Sequence, residues 1–392
     1  MRVLLIDVNC KHSSTGKIVY DLYQDLNKQG HVASVAYGRG DVISEPYIMK
    51  YGIDLETMVH ALMTRLTGLT GYFSPLSTYR LIRHIKSFKP DVVHLHDLHG
   101  YHVNIGRVVR YLKANNIKTI WTFHSEFMYT GKCGHAKTCT NFMTECHHCP
   151  LLHDYPKSLY FDFTRFMFRQ KKKWFEGLQN NLTIVTPSKW LNDRLQQSFL
   201  RDFTIKIIPN GIDTQVFGYK QPNKRLRLNP ILQDKRLFLS VIAKPDDLNK
   251  GFQWILKFAA DLKDTDIAFV VVGKKYPKQL PPNIYVVDYV TNAESLAALY
   301  HECDAYLMVS EYENYPTVCL EASAASMPIL GFNSGGVKET AINVTSQLVE
   351  YGSTKLVKMI RSFIPEIRQI NNQLVRLDRQ NMREQYYEIY TN

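Results

Sequence analysis

The chain has 392 residues, of which 45% are apolar and 21% are charged. These proportions are typical of a globular protein, so they exclude a disordered, a collagen-like or a coiled-coil protein. The net charge of +12 comes from 48 Lys and Arg residues against 36 Asp and Glu residues. This excess favours an anionic partner, such as a nucleotide, a nucleic acid or an acidic membrane surface.

The length predicts two or three domains, at roughly 150 residues each. A run of four apolar residues precedes Asp7, which is too short for the core of a signal peptide. No run approaches the roughly 20 apolar residues that span a bilayer. We therefore expect a cytoplasmic protein, or one bound peripherally to the inner face of the cytoplasmic membrane.

Short apolar runs rich in Val and Ile alternate with helical stretches along the chain. The first series of predicted strands is Val3–Ile6, Val32–Tyr37, Val92–Leu95, Thr119–Phe123 and Leu182–Thr186. The second series is Ile205–Ile208, Leu237–Ile242, Ile267–Val272, Ile284–Val287, Ala305–Val309 and Pro328–Phe332. Helical patterns lie between them, as at Lys17–Gln29, Gly251–Lys263, Glu294–Tyr300 and Thr317–Ser326. This alternation predicts parallel sheets covered by helices on both faces.

Eleven strands are too many for one sheet, and the turn sequence Pro209–Asp213 separates the two series. The predicted fold class is therefore α/β, with two Rossmann-like, doubly wound domains. We expect these domains at residues 1–208 and 209–370, facing a central cleft in which ligands bind. The polar stretch 371–392 is expected to form a helix that packs back on the first domain.

Two loops of the predicted fold suit an anion. Ser13–Lys17 follows the first strand and opens a helix, where small residues let backbone N–H groups approach a phosphate. A plain helix cap explains this loop equally well. Lys244 and Asn249–Gly251 follow the first long strand of the second domain, again where a helix begins. A lysine beside a helix N-terminus suits a diphosphate, and a solvated lysine before a glycine turn is the alternative.

The most informative stretch is Ser310–Ala322, which follows a predicted strand. Pro316 marks a helix start, so Glu313 lies in the loop and Glu321 lies in the first turns of the helix. Two carboxylates at these places suit hydrogen bonds from the hydroxyls of one ligand. Alternatively, Glu321 only complements the helix dipole.

With these motifs, the whole chain resembles the glycosyltransferases of family 4, which have the two-domain GT-B fold. Glu313 and Glu321 fit the family's motif of two glutamates separated by seven residues. Further matches, in the family's order, are Thr122–His124, Pro209–Asp213, Lys250–Gly251 and Ser334–Gly336. The segments Ser14–Lys17 and His94–Gly100 and a cluster of cysteines resemble the subgroup that serves bacterial capsule, exopolysaccharide and O-antigen assembly.

The resemblance implies retaining transfer of a sugar from a nucleotide-diphosphate donor of the UDP or GDP type, without a catalytic metal. The catalytic residues implied by motif match are Glu313 at the donor sugar, Lys250 at the leaving diphosphate and His124 near the reacting sugar. The implied substrate-binding residues are Gly16, His96, Lys244, Asn314, Tyr315 and Glu321. Glu321 would hold the ribose, and Lys244 replaces the arginine that the family usually has where this chain has Pro245.

Four of the seven cysteines fall within 17 residues, at Cys133, Cys139, Cys146 and Cys149. Four thiolates suit tetrahedral zinc, and two cysteines separated by two residues form a compact knuckle. A nearby histidine (His135, His147 or His148) is an alternative ligand, and free thiols or a cysteine pair are the alternatives to metal. A structural zinc would supply the core that this polar segment lacks.

Four histidines, His94, His96, His99 and His102, alternate along a strand end and the loop after it. With Asp97 they favour a polar cleft that contacts sugar hydroxyls. Metal ligation is an alternative, and simple packing is expected for some of them.

The segment Lys157–Phe175 contains six basic residues, one acidic residue and seven aromatic residues. A helix with this mixture, which includes Phe166, Phe168, Lys171–Lys173 and Trp174, suits the headgroup region of an anionic bilayer. Alternatively, its aromatic residues face the core and its lysines face water. No nucleic-acid recognition motif is present, so we expect no nucleic-acid partner.

The sequence therefore predicts a retaining, hexosyl-type glycosyltransferase of bacterial surface polysaccharide assembly. Its expected acceptor is a saccharide linked to undecaprenyl diphosphate at the cytoplasmic membrane face. One alternative is a GT-B epimerase of nucleotide sugars, which needs no acceptor. The other is a non-catalytic subunit that binds a nucleotide sugar or an anionic lipid.

Overall fold

A computed structural model gives the fold of the chain. It describes residues 1–218, 232–274, 279–288, 290, 292–368 and 374–391. The chain divides into two compact units. The first contains Met1–Ile208 together with Gln385–Asn392, and the second contains Pro209–Glu384.

The first unit is built on a seven-stranded sheet. Its strands are Arg2–Asp7 (β1), Val32–Tyr37 (β2), Ile48–Lys50 (β3), Val92–Leu95 (β4), Lys118–Thr122 (β5), Leu182–Thr186 (β6) and Thr204–Ile207 (β7). Neighbouring strands are parallel, in the order β3-β2-β1-β4-β5-β6-β7. The chain reverses its direction of winding between β1 and β4, whose register joins Val3 to Val92.

The second unit is built on a six-stranded sheet. Its strands are Arg236–Val241 (β8), Ile267–Val272 (β9), Ile284–Val287 (β10), Ala305–Met308 (β11), Ile329–Phe332 (β12) and Gln347–Val349 (β13). They are also parallel, in the order β10-β9-β8-β11-β12-β13. Here the winding reverses between β8 and β11. In sheets of this kind, ligands bind beyond the carboxyl ends of the strands at the reversal.

Helices cover both sheets. In the first unit they are Ser13–Lys28 (α1), Asp54–Thr67 (α2), Pro75–Phe88 (α3), Ile105–Ala114 (α4), Thr164–Phe175 (α5) and Lys189–Leu195 (α6). In the second they are Thr214–Phe217 (α7), Phe252–Asp261 (α8), Ala293–Glu302 (α9), Thr317–Ala324 (α10), Val337–Thr340 (α11), Lys355–Ser362 (α12) and Leu374–Leu377 (α13). The last helix is Arg379–Thr391 (α14). None of the helices in the described ranges combines the length and the apolar content needed to traverse a bilayer.

The strands form because they are apolar almost without interruption. Every residue of β9 is buried, as are the last five residues of β1. A strand that is buried on both faces needs this composition, because helices exclude water from each side of a parallel sheet. Helix α1 contributes an apolar stripe, with Ile18, Leu22 and Leu26 turned inward. Each such side chain stabilises the fold by about 1.5–3 kcal/mol through its removal from water.

The end of the chain belongs to the first unit. The Tyr390 hydroxyl lies 2.7 Å from His94 Nδ1, and the Tyr386 hydroxyl lies 2.9 Å from Thr122 Oγ1. His94 Nε2 is in turn 2.8 Å from Thr122 Oγ1. All four side chains are buried, so these contacts join the end of α14 to the middle strands β4 and β5.

The chain enters and leaves the second unit at neighbouring positions. The Ile212 N–H donates to the Leu377 carbonyl at 2.9 Å, and the Arg379 N–H donates to the Ile212 carbonyl at 2.8 Å. Arg379 also forms an ion pair with Asp213 at 2.5 Å. The turn Pro209–Asp213, expected between the two strand series, therefore begins the second unit beside the last helices of that unit.

The fold class predicted from the sequence is confirmed: the structure has two parallel, doubly wound sheets with helices on both faces. One assignment was wrong. Ile205–Ile208 was placed with the second series, but Thr204–Ile207 pairs with β6 in the first sheet. The short edge strands β3 and β13 were not predicted. The expected boundary between residues 370 and 371 lies outside the described residues.

Candidate active site

Two of the predicted catalytic residues meet at the carboxyl ends of the strands where the second sheet reverses. The Lys250 ammonium nitrogen lies 2.7 Å from Glu313 Oε1. Lys250 belongs to the loop after β8, and Glu313 belongs to the loop after β11. The Glu313 carboxylate raises the pKa of Lys250 above its ordinary value, so the lysine is positively charged at neutral pH. A cation held in this way suits the phosphates of a donor.

Hydrogen bonds fix the two loops to each other. The Asn249 side-chain amide donates to the Tyr312 carbonyl at 3.0 Å, and the Glu311 N–H donates to the Asn249 carbonyl at 2.8 Å. Gly251 follows with φ at 73°, and a Cβ there would lie 2.0 Å from the Val309 carbonyl oxygen. Only glycine allows so close an approach of the two loops.

A third loop supports Glu313 from the other side. The Gly336 N–H donates to the Glu313 carbonyl at 2.9 Å, and the Ser334 hydroxyl donates to the Ser310 carbonyl at 2.9 Å. Gly335 has φ at 64°, and a Cβ there would lie 1.9 Å from the Glu313 carbonyl oxygen. The glycine turn predicted at Ser334–Gly336 therefore packs directly against the backbone of Glu313.

Glu321 lies in α10, nine-tenths buried, as expected for the first turns of that helix. The Tyr300 hydroxyl, from α9, donates to Glu321 Oε2 at 2.8 Å. Burial and the Glu321 carboxylate raise the pKa of Tyr300 well above its ordinary value, so the hydroxyl keeps its proton. This carboxylate is therefore held by a specific partner, which is more than an interaction with the helix dipole.

The other predicted donor-side residues lie in or beside the same loops. Asn314 is buried next to Glu313, and Tyr315, half-buried, has its pKa raised by burial. Lys244 is exposed at the start of the β8 loop, where its backbone carbonyl accepts the Asp247 N–H at 3.1 Å. The loops thus bring together Lys250, Glu313 and Asn314, with Lys244 at their edge.

In the first unit, Gly16 lies in the first turns of α1, beyond the carboxyl end of β1. A Cβ there would lie 3.3 Å from the Asn9 carbonyl group, so the helix approaches the preceding loop closely. The Gly16 N–H donates to the Ser13 hydroxyl at 3.2 Å. The buried Asp7, at the end of β1, accepts the Thr15 hydroxyl at 3.0 Å. Burial first, and then Asp97, raises the pKa of Asp7 to about 7.

His96 and His124 also lie together. The ring nitrogens His96 Nδ1 and His124 Nε2 are 3.1 Å apart, and the two rings stack. Burial lowers the pKa of both rings, and the pKa of His96 is also lowered by His94 and His124. Both rings are therefore uncharged at neutral pH. One ring donates a hydrogen bond to the other, and no charge repulsion separates them.

Two of the remaining histidines have the packing role that was expected for some of the cluster. His94 and His102 have no exposed surface, and their partners are the hydroxyls of Tyr390 and Tyr51, each at 2.7 Å. His99 stacks on Phe127. Packing inside the first unit is therefore the role of His94 and His102, since neither ring has a surface for a sugar hydroxyl.

The four clustered cysteines line one small cavity of about 10 Å³, with His147 also in its wall. Its surroundings favour a thiolate at one position, because a hydrogen bond from Cys133 lowers the pKa of Cys149 to about 7. Within the described part of the chain, however, no three His, Cys, Asp or Glu side chains stand in the arrangement of a metal site. The zinc site remains a prediction based on the donor set and its cavity.

The basic segment Lys157–Phe175 is divided between core and surface. Lys171 has no exposed surface, and its ammonium donates to the carbonyls of Phe127, Thr130 and Gly131 at 2.5, 3.1 and 3.3 Å. Its assignment to a membrane-facing run of lysines was therefore wrong. Phe168 is buried too, whereas Lys172 and Lys173 are exposed.

Sequence reasoning missed two polar residues of these sites, Asp7 and Tyr300. Asp7 ends a strand at the reversal of the first sheet, and that position was a usable signal. Tyr300 meets Glu321 only because α9 packs beside α10, and no local pattern of residues predicts such a contact.

Comparison with known proteins identifies the family of the chain. Residues 15–216 match the family described as Glycosyltransferase Family 4, and residues 229–372 match the one described as Glycosyl transferases group 1. The chain is 26% identical over 388 residues to a putative colanic acid biosynthesis glycosyl transferase, WcaC, of Escherichia coli K12. That alignment covers 94% of this chain and 92% of the relative.

Two solved structures share the fold over nearly their whole length. Sucrose-phosphate synthase from Thermosynechococcus elongatus has a TM-score of 0.70 at 15% identity, covering 100% of this chain and 98% of the other. HepE from Anabaena in complex with UDP-glucose has a TM-score of 0.66 at 13% identity, covering 100% and 99%. Because the family match over residues 15–216 spans just over half of the chain, this protein belongs to glycosyltransferase family 4, as an enzyme with the GT-B fold.

Proposed function

We propose that the protein transfers a sugar, with retention of configuration, from a nucleoside-diphosphate sugar to a saccharide linked to undecaprenyl diphosphate. The reaction would extend a bacterial surface polysaccharide. The observation that carries the proposal is the pairing of Lys250 with Glu313 at the reversal of the second sheet. The name of the similar WcaC supports polysaccharide assembly, and the UDP-glucose complex of HepE supports a UDP-type donor.

Lys250 and Glu313 have separate tasks in this proposal. The bond from the sugar to the diphosphate breaks during transfer, so negative charge grows on the departing oxygen. Lys250 stabilises that charge more in the transition state than in the ground state, which lowers the barrier. Glu313 accepts hydroxyls of the transferred sugar. In the protein without donor, each of the two charges neutralises the other.

The remaining residues position the substrates. Glu321, held by Tyr300, accepts the ribose hydroxyls, and Asn314 contacts the donor sugar beside Glu313. Gly16 lets its loop approach the phosphates. The half-buried His124, whose ring is positioned by the buried and neutral His96, offers a hydrogen bond to the reacting sugar. None of these roles requires a metal ion.

The replacement Glu313→Gln tests the proposal, because it removes the charge and keeps the shape. At saturating donor we expect kcat to fall about 100-fold or more, with nucleotide affinity little changed. The measurement is steady-state sugar transfer to a lipid-linked acceptor, together with calorimetric titration of UDP and GDP. Transfer by Glu313→Gln at the wild-type rate would contradict the assignment.

A matched control is Glu294→Gln, which makes the same chemical change at an exposed site in the same unit. It should transfer sugar at the wild-type rate. A fall in kcat for both variants would point to a loss of stability rather than of a catalytic group.

The same assay separates the two alternatives. An epimerase would convert the donor in the absence of any acceptor, which product analysis of a donor-only reaction detects. A non-catalytic binding subunit would bind nucleotide sugar but turn over neither substrate.

A further inference from the structure

Helix α2 carries its apolar side chains on the outside. Leu55, Met58, Val59 and Leu62 are each more than half exposed, and their spacing places them on one face of the helix. The side chains that α2 buries are polar: Thr57, His60 and Thr64. This is the reverse of the pattern expected for a helix on the surface of a water-soluble domain.

The buried polar face of α2 is well satisfied, so the reversed pattern is a property of the fold. His60 Nδ1 lies 2.8 Å from the Ser74 hydroxyl, and His60 Nε2 accepts the Gly71 N–H at 3.0 Å. Burial lowers the pKa of His60 to about 4, which keeps the ring neutral and able to accept this bond. A rotation of α2 that hid its apolar face would break these bonds.

Hydrogen bonds join α2 to two neighbouring elements that also carry exposed apolar residues. Glu56, on α2, accepts the N–H groups of Leu76 and Ser77 at the start of α3, at 2.9 and 2.7 Å. The Leu159 N–H donates to the Arg65 carbonyl at 2.7 Å, which ties the segment after Pro156 to the end of α2. We call the exposed apolar residues of these three elements the apolar face: Leu55, Met58, Val59, Leu62, Leu76, Tyr79, Leu159, Tyr160, Phe161 and Phe163.

Positive charge borders the apolar face. Exposed cations lie on the same elements: Arg65 is on α2, Lys157 precedes Leu159 in the chain, and Lys172 and Lys173 line one groove with Phe163. Acids of the region are outnumbered or paired: Glu56 binds the start of α3 as described, and Asp54 pairs with Lys50 at 2.8 Å. The groove that contains Lys172 and Lys173 has four basic side chains against the two acids Asp162 and Glu176. Asp162 accepts the Cys149 N–H at 2.7 Å and the Thr164 hydroxyl at 2.5 Å.

From these contacts we infer that the apolar face docks on an anionic lipid bilayer. Its apolar side chains would enter the boundary between headgroups and acyl chains, and the bordering cations would meet the lipid phosphates. The exposed tyrosines of the face, Tyr79 and Tyr160, suit the same boundary. The inference deepens the proposed function, because it assigns the surface of the protein that meets the membrane. It rests on the proposed function only in taking the acceptor to be lipid-linked.

The positive charge beside the apolar face favours an anionic lipid surface over a protein partner. The net charge of the whole chain, +12, has the same sign and adds to this attraction. Two exposed lysines, Lys172 and Lys173, contribute to this border, whereas the buried Lys171 does not.

The test is flotation of the full chain with two kinds of vesicle. One contains phosphatidylcholine alone, and the other contains about 30% phosphatidylglycerol as the anionic lipid. The wild-type protein should float with the anionic vesicles and be released by salt. The double variant Met58→Glu/Leu62→Glu should bind them at least 10-fold more weakly. Lys172→Gln/Lys173→Gln should reduce binding about five-fold for each lysine.

Val344→Glu is the matched control, since Val344 is 96% exposed in the second unit. It should float like the wild-type protein. If circular dichroism shows that the glutamate double variant is unfolded, Met58→Ser/Leu62→Ser replaces it. We expect a smaller loss of binding for that variant. Equal flotation of the wild-type protein and a folded face variant would overturn the inference. A wild-type dimer that the face variant dissociates, with no vesicle binding, would also overturn it in favour of a protein interface.

Vesicle binding does not depend on catalysis, so the two proposals fail separately. On a water-soluble acceptor, the face variant should keep the wild-type rate of sugar transfer. A protein that floats on anionic vesicles but transfers no sugar would contradict only the proposed function.

Discussion

Glu321 has its position defined by the fold, before any ligand binds. Its carboxylate is nine-tenths buried and takes a hydrogen bond from Tyr300, a residue of another helix. A buried carboxylate without a partner would lose several kcal/mol of solvation, so the tyrosine contributes both position and stability. The sequence predicted the glutamate from its motif. It did not predict the tyrosine, because the two residues are 21 positions apart and meet through packing.

Tyr300→Phe should therefore weaken donor binding with little effect on the chemical step. The variant keeps the ring and removes the hydroxyl, so Glu321 loses one fixed hydrogen bond, worth about 1 kcal/mol. We expect the donor KM to rise about five-fold and kcat to stay within about two-fold. The control is Tyr306→Phe, another buried tyrosine, whose hydroxyl instead meets the Val241 N–H at 3.4 Å. A fall in kcat with an unchanged donor KM would contradict the ribose role proposed for Glu321.

At the scale of elements, the loops after β8, β11 and β12 were the most predictable part of the molecule. Each follows an apolar strand and ends at a helix start, and glycines mark the places of close approach. The strands themselves were predictable because parallel sheets need unbroken apolar runs. Edge strands of three residues, such as β3, contain too few positions for such a pattern.

Helix α2 and Lys171 show where pattern reasoning fails. An apolar stripe at helical spacing predicts a face turned to the core, and in α2 that face is exposed. Lysine is ordinarily a surface residue, and Lys171 is buried because three backbone carbonyls surround its ammonium group. In both cases hydrogen bonds between distant segments determine which side is buried, and no local window of sequence contains them.

The cysteine segment gives a prediction at this scale. If zinc fills the cavity among the four cysteines, the purified protein should contain about one equivalent that survives dialysis. Cys146→Ser should then remove the metal and lower the unfolding midpoint, with donor affinity largely kept. Cys303→Ser, a buried cysteine in the second unit, is the control and should keep the metal. Elemental analysis of reduced, freshly prepared protein without zinc would contradict the prediction.

At the scale of the whole molecule, the last turns of α14 complete the first unit. Tyr386 and Tyr390 close a buried network with His94 and Thr122 on two middle strands. Loss of the tyrosine hydroxyls would leave His94 Nδ1 without its partner in the core, and the Thr122 hydroxyl would keep only its contact with His94 Nε2. Buried polar atoms in that condition each cost about 1–3 kcal/mol.

Tyr386→Phe/Tyr390→Phe should accordingly lower the free energy of unfolding of the first unit by about 2–4 kcal/mol. Urea unfolding followed by hydrogen exchange of β4 and β5 measures this loss. Tyr387→Phe is the control, because the Tyr387 hydroxyl has only a 3.4 Å contact with His31. An equal effect of the control and the double variant would mean that the buried network adds no stability.

The chain enters and leaves the second unit at neighbouring positions, and this affects how the protein can evolve. Because Ile212 is bonded to Leu377 and Arg379, a segment running from about residue 212 to 378 begins and ends at one place. Such a segment is a natural cassette for recombination. Its two junctions with the rest of the chain lie side by side in the structure, so a replacement segment has to match the chain at one place. Exchange of the cassette between related genes would replace the proposed donor loops as a set. The first sheet, its C-terminal turns and the apolar face would be inherited intact, so a lineage could acquire a new donor sugar while it kept the surface proposed to meet the membrane.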